Sequence, residues 1–201
     1  MQGSPAPVLA ARELACRRGE RLLFRKLSFA LGAGEALHVT GANGTGKTTL
    51  IRALAGLTTP FAGEVESAGG IGLLDERVAL DPDLPLGKAL AFWRKLDGGD
   101  EGTLSTLGLE PLLEVPVRYL STGQRKRAGM AVLAGRNVPI WLLDEPLSGL
   151  DTATIGTVSV LIADHVRAGG IAVIASHQPL AIDGLRSLAV EGYAPAPEAA
   201  E

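Results

Sequence analysis

Apolar and polar positions fall into distinct textures along the chain. Over residues 8–40, short apolar runs are separated by turns at 15–20 and 32–35. Leu27-Ser28-Phe29-Ala30-Leu31 alternates with period two, the pattern of a half-buried strand, and 36–40 reads as a second short strand. Leu50, Ile51, Leu54 and Leu57 then recur at helical spacing, with Gly56 as a C-terminal stop. Residues 58–63 read as a loop, and 64–68 and 71–74 as weak strands. From 77 to 135 helical patterns dominate, over 86–96, 101–107 and 122–136, broken by Pro82, Pro85, Pro111 and Pro116. Ile140 to Leu143 is a continuous apolar run, the mark of a strand buried on both faces. A helix over 152–168 and a strand over 171–175 follow, and 194–201 reads as a disordered tail. This order predicts an α/β fold, a mainly parallel sheet with a helical insertion.

Composition narrows the class. The chain has 201 residues, enough for one large domain or two small ones. Hydrophobic residues make up 46% and charged residues 20%, as in folded globular proteins. With 4% aromatic residues and 26 glycines, the core is aliphatic and the backbone turns tightly in many places. A net charge of −3 argues against bulk nucleic-acid binding, which draws on a basic surplus. The single Cys16 excludes an internal disulfide and a cysteine zinc site. No apolar run approaches the roughly 20 residues that span a bilayer, and the first residues lack a secretory signal pattern. A cytoplasmic α/β domain is expected.

Three stretches carry chemistry. Gly41-Ala42-Asn43-Gly44-Thr45-Gly46-Lys47-Thr48 fits G-x-x-x-x-G-K-[ST], after a strand and at the opening of a helix. Its glycines let backbone N–H groups, through Thr49 in the first helical turn, converge on phosphate oxygens, aided by the helix dipole. Lys47 can reach the β- and γ-phosphates, and the Thr48 hydroxyl can hold Mg2+. Ile140-Trp141-Leu142-Leu143-Asp144-Glu145 is a buried strand ending in two acids. Asp144 is expected beside the phosphate loop on Mg2+, and Glu145 to polarise the attacking water. The bland alternative is a pair of solvated acids at a strand end. In the third stretch, Ser121 and Gln124 form an S-x-x-Q capping box at the start of a helix. Such a terminus with Gly123 behind its cap can also bind phosphate. The following Arg125, Lys126 and Arg127 are expected on a solvated helix face.

Taken in order, these motifs resemble the ATP-binding cassette (ABC) ATPases, over nearly the whole chain. Ser121-x-Gly123-Gln124 is similar to their signature, Ser148-Gly149-Leu150-Asp151 to their D-loop, and His177 to their switch histidine. The resemblance implies a P-loop NTPase with a RecA-like core and an N-terminal antiparallel β subdomain. It implies one domain over 1–193, with core at 1–76 and 136–193 and a helical subdomain at about 77–135. It implies ATP and Mg2+ as ligands and head-to-tail pairs of cassettes. Ser121, Gly123 and Gln124 would meet the γ-phosphate of a second copy, His177 would hold it in cis, and Asp151 would couple the two sites.

The run from Leu14 to Phe29, the run from Leu57 to Gly63 and Leu120-Ser-Thr-Gly-Gln-Arg-Lys-Arg-Ala128 resemble, more narrowly, the ATP-binding subunits of haem exporters in bacterial cytochrome c maturation. That likeness implies a homodimer under an integral membrane permease, peripheral on the cytoplasmic side of the inner membrane. It implies no nucleic acid and no membrane span of its own, with a docking face within 77–100. Two departures stand out. Arg18, or Phe24 nearby, takes the place of the family's adenine-stacking aromatic, and Glu76 that of the Q-loop glutamine, a further Mg2+ ligand. The alternatives are a subunit of another ABC exporter and a soluble ABC ATPase acting on nucleic acid or ribosomes.

Overall fold

A computed structural model describes residues 6–97, 102–180 and 182–195. Glu101 and most of the 194–201 tail lie outside them. In chain order the elements are β1 (Val8–Arg18), β2 (Arg21–Gly32), β3 (Ala36–Thr40), α1 (Lys47–Leu54), β4 (Ala62–Ala68), β5 (Ile71–Leu74), α2 (Leu86–Asp97), α3 (Gly102–Thr106), α4 (Thr122–Gly135), β6 (Ile140–Asp144), α5 (Thr152–Arg167), β7 (Ile171–Ala175) and β8 (Arg186–Ala189). A 3-10 turn at Val190–Tyr193 follows β8.

Five strands form a wholly parallel sheet in the order β5-β6-β7-β3-β8. Every residue of β6 and β7 is buried, which is why both read as unbroken apolar runs. The pleat sorts their side chains into two cores. Ile140, Leu142, Ile171 and Val173 face α1 and the N-terminal sheet. Trp141, Leu143, Ala172 and Ile174 face the helices α4 and α5. Helices α2 to α4 fall between β5 and β6, at the expected insertion.

A second, antiparallel sheet has the order β2-β1-β4. Here the structure departs from the 15–20 turn. β1 runs on to Arg18, and the chain reverses only at Gly19-Glu20. The reason is a bulge at Glu13, whose φ is 48°. It breaks the period-two pattern, so that Leu14, Ala15 and Cys16 are buried in succession. Edge strand β8, with only Leu188 buried, carried no pattern strong enough to read.

Gly63 sits against the bulge at φ 80°, where a Cβ would lie 2.4 Å from the Arg12 carbonyl oxygen and 2.5 Å from that of Glu13. Neither backbone oxygen can swing away. Gly63→Ala is therefore expected to lose at least about 2 kcal/mol of stability in urea unfolding, combining left-handed strain with overpacking.

Candidate active site

The phosphate loop leaves β3 and enters α1, whose N-cap is Gly46 at φ 113°. That glycine is required by packing as well as by conformation. A Cβ there would come within 3.0 Å of the Phe24 ring and 3.2 Å of Leu23. Phe24 is thus a fully buried floor beneath the loop, not a surface for adenine. Arg18 instead lines the open clefts over the loop, beside Thr48, Thr49 and Glu76. The Lys47 ammonium is tucked into the loop, donating to the carbonyls of Gly41 at 2.7 Å and Ala42 at 3.1 Å. Thr45 Oγ1 donates to the Ala42 carbonyl, 2.9 Å away. From the far end of the chain, Glu191 accepts the Ala42 N–H. No sequence signal ties residue 191 to this loop.

Strand β6 delivers the two acids. Asp144 is buried and borders the same cleft as Thr48. Its other features suit a cation: Oδ1 is buried with no hydrogen-bond partner. Burial raises the Asp144 pKa, the Thr48 hydroxyl opposes that rise, and Glu145, Glu76 and Asp75 add to it. Hydroxyl and carboxylate oxygens are the hard donors that Mg2+ takes, and Thr48, Asp144 and the exposed Glu76 border the same cleft. No group of three or more His, Cys, Asp or Glu that could hold a metal occurs among the described residues, so an ion here must complete its shell with other oxygens.

Glu145 turns out of the sheet at φ 49°, a left-handed conformation costing a non-glycine residue about 1–2 kcal/mol. Its carboxylate Oε1 lies 3.2 Å from His177 Nε2. The same Nε2 is 2.7 Å from Asn43 Oδ1 and 3.2 Å from Lys47 Nζ. With the proton on Nε2 it donates to Asn43; in the other tautomer it accepts from Lys47. The loop bearing His177 is anchored behind, where His38 Nε2 meets the Ser176 carbonyl at 3.0 Å. Residues far apart in sequence, Asn43, Lys47, Glu145 and His177, thus meet at one point.

The other expected contacts lie elsewhere. Ser121, Gly123, Gln124 and Asp151 do not line the clefts over the phosphate loop of their own chain. Ser121 caps α4 through the full capping box, with Gln124 N–H on Ser121 Oγ at 3.2 Å and Ser121 N–H on Gln124 Oε1 at 2.8 Å. Asp151 caps α5, and the Thr154 N–H and hydroxyl that it accepts hold its pKa down. The expected solvated face holds for Arg125 and fails at Lys126. Lys126 is 7% exposed, and its ammonium donates to the Glu145 carbonyl. Arg127 donates to the Leu107 and Gly108 carbonyls, and the exposed Arg125 to that of Leu120. A signal was present: Gly123, Lys126, Met130 and Leu133 share one helical stripe.

Comparison with known proteins agrees with this geometry. Residues 24–148 match the family model described as ABC transporter. The chain is 54% identical to the cytochrome c biogenesis ATP-binding export protein CcmA of Novosphingobium aromaticivorans, over 93% of this chain and 97% of that protein. It is 46% identical to the protein of the same name from Zymomonas mobilis, covering 92% and 85% respectively. A solved structure from Pyrococcus furiosus, described as an ABC transporter ATP-binding protein, superposes with a TM-score of 0.78 at 21% identity, covering 94% of this chain and all of that one.

Gly123 also has a role inside the single chain. A Cβ there would stand 2.5 Å from the Gly149 carbonyl oxygen. Gly123→Ala should therefore lower nucleotide-free stability by about 1–3 kcal/mol in urea unfolding, by overpacking. A glycine needed only for ligand approach would leave that value at the wild-type level.

Proposed function

The chain belongs to the ABC transporter family, and from that premise we propose that it is the ATP-binding subunit of an exporter in cytochrome c biogenesis. In this reading it hydrolyses ATP to drive a membrane permease in haem export, or in release of a haem-loaded chaperone. The observation that carries the hydrolytic part is the convergence of Asn43, Lys47 and Glu145 on His177 Nε2, all within 3.2 Å. The biogenesis part rests on likeness to the named export proteins.

The residues divide the work as follows. Backbone N–H groups from Asn43 through Thr49 cradle the phosphates, and the Lys47 ammonium exchanges loop carbonyls for β- and γ-phosphate oxygens. Thr48 and Asp144, with Glu76 in reach, hold Mg2+, which when bound neutralises charge on the phosphates. His177 holds the γ-phosphate and steadies the attacking water. Glu145 takes a proton from that water as its oxygen bonds to the γ-phosphorus and the bond to the β–γ bridging oxygen breaks. ADP carries away the electron pair of that bond. Ser121, Gly123 and Gln124 act on the ATP of a second, head-to-tail copy, and Asp151 links the two sites.

We treat 1–193 as one ABC ATPase domain, with the helical subdomain at about 77–135 and the rest its core. Among the described residues no helix is long and apolar enough to cross a membrane. The permease therefore supplies the span, and this chain sits peripherally on the cytoplasmic side of the inner membrane. Leu84 and Phe92 stand exposed beside a groove of about 250 Å³, within the segment assigned to docking.

Glu145→Gln should lower kcat for phosphate release by about 10²–10⁴-fold, the usual weight of a general base. It should also accumulate an ATP-bound dimer in size-exclusion chromatography. A wild-type rate in this variant removes Glu145 from the role of base. For the pathway, a strain deleted for its own cytochrome c biogenesis ATP-binding subunit should regain c-type cytochromes with this chain and not with Lys47→Ala. An active ATPase that restores nothing refutes the assignment to cytochrome c biogenesis while leaving hydrolysis intact.

A further inference from the structure

Lys126 is a buried charge beside the candidate site. It lies on the buried stripe of α4, between Gly123 and Met130. An ammonium there must be bonded to be tolerated. Methionine would fill a similar volume but would leave the Glu145 carbonyl without this donor. Burial lowers the Lys126 pKa, while the negative charges of Glu145, Asp144 and Glu76 act in the opposite direction. The three carboxylates thus favour the charged form.

Its bonded partner is informative. The ammonium donates to the backbone carbonyl of Glu145. The Ser148 N–H approaches the same oxygen at 3.3 Å, and the Glu145 N–H is fixed by the Ala175 carbonyl at 2.8 Å. Between these clamps Glu145 holds its left-handed φ of 49°. Non-glycine residues stay in that region only where their surroundings over-determine it. Relaxing to the right-handed region rotates the side chain away from the sheet end where His177 waits.

We propose that Lys126 is a positioning residue for ATP hydrolysis: by capping the Glu145 carbonyl it fixes the backbone turn that aims the Glu145 carboxylate at His177. The clamp comes from α4, the helix whose N-terminus carries Ser121 and Gly123. A shift of that helix therefore moves the base of the same chain's own site. The proposal rests on the hydrolytic reading of Glu145 given above.

The test uses the purified full-length chain as wild type, Lys126→Met, Lys126→Arg and Glu145→Gln. The readouts are kcat, KM for ATP, thermal midpoint and ATP-dependent dimer formation. Lys126→Met should lose at least about tenfold in kcat with KM within about threefold of wild type, the signature of an interaction felt in the chemical step. It should accumulate the ATP-bound dimer as Glu145→Gln does, which shows that it still folds and binds ATP. Lys126→Arg should recover most of the lost rate, because it restores a donor to the carbonyl. A Lys126→Met protein with wild-type kcat overturns the proposal. So does a loss of rate that comes with a lowered thermal midpoint, weakened ATP binding and no rescue by arginine, which marks a packing role. If Glu145→Gln itself turns over at the wild-type rate, the hydrolytic reading fails and takes this proposal with it. If Glu145→Gln is inactive and Lys126→Met is not, the proposal alone fails.

Discussion

Strand β6 is buried on both faces, and every other feature of the site follows from that constraint. A strand with helices on one side and a second sheet on the other has no room for a charge along its length. Its polar groups must leave at the carboxyl end. Asp144 is the last residue of the strand, still buried, and it borders the cleft that Thr48 lines. Glu145 comes one residue later and escapes the sheet only by taking a left-handed backbone. β7, β6's parallel neighbour, ends level with it, Asp144 opposite Ala175, and that register sets His177 beside Glu145. β3 on the other side of β7 brings the phosphate loop to the same edge. Three strand ends thus meet where a parallel sheet presents its loops.

Much of this was legible because it is written locally. The phosphate loop needs particular residues at fixed spacing, and the buried strands need unbroken apolar runs. The capping box at Ser121 and Gln124 is a four-residue pattern, and the structure contains both of its hydrogen bonds. What escaped was non-local or depended on which way a side chain faces. Glu191 reaches Ala42 across most of the chain, joined by the edge strand β8, whose residues Arg186–Ala189 show no alternation. Phe24, one of the two residues expected to stack on adenine, is buried under the loop and covered by Gly46. The run Arg125-Lys126-Arg127 is uniform in charge but not in helical phase: Lys126 is buried while its neighbours lean on carbonyls.

The single chain therefore holds two kinds of functional surface. One is assembled in place, with Asn43, Lys47, Glu145 and His177 already in contact. The other, around Ser121, Gly123 and Asp151, is folded and capped, yet does not line the clefts over its own phosphate loop. In the proposed head-to-tail pair, that separation divides labour between chains: each copy brings a reaction centre for its own nucleotide and a second surface for its neighbour's.

The contact between Gly123 and the Gly149 carbonyl has a consequence for how such a sequence can drift. Most core contacts are made by side chains, and a change in one can be absorbed by repacking of the next. Here backbone meets backbone, and the information resides in the lack of atoms. The closest atom, the Gly149 carbonyl oxygen, belongs to the main chain, so side-chain repacking does not relieve the clash. A substitution at residue 123 can be rescued only by rerouting the main chain around 149, which asks for coordinated change over a whole loop. Position 123 is thus less tolerant of substitution than a site where only side chains meet.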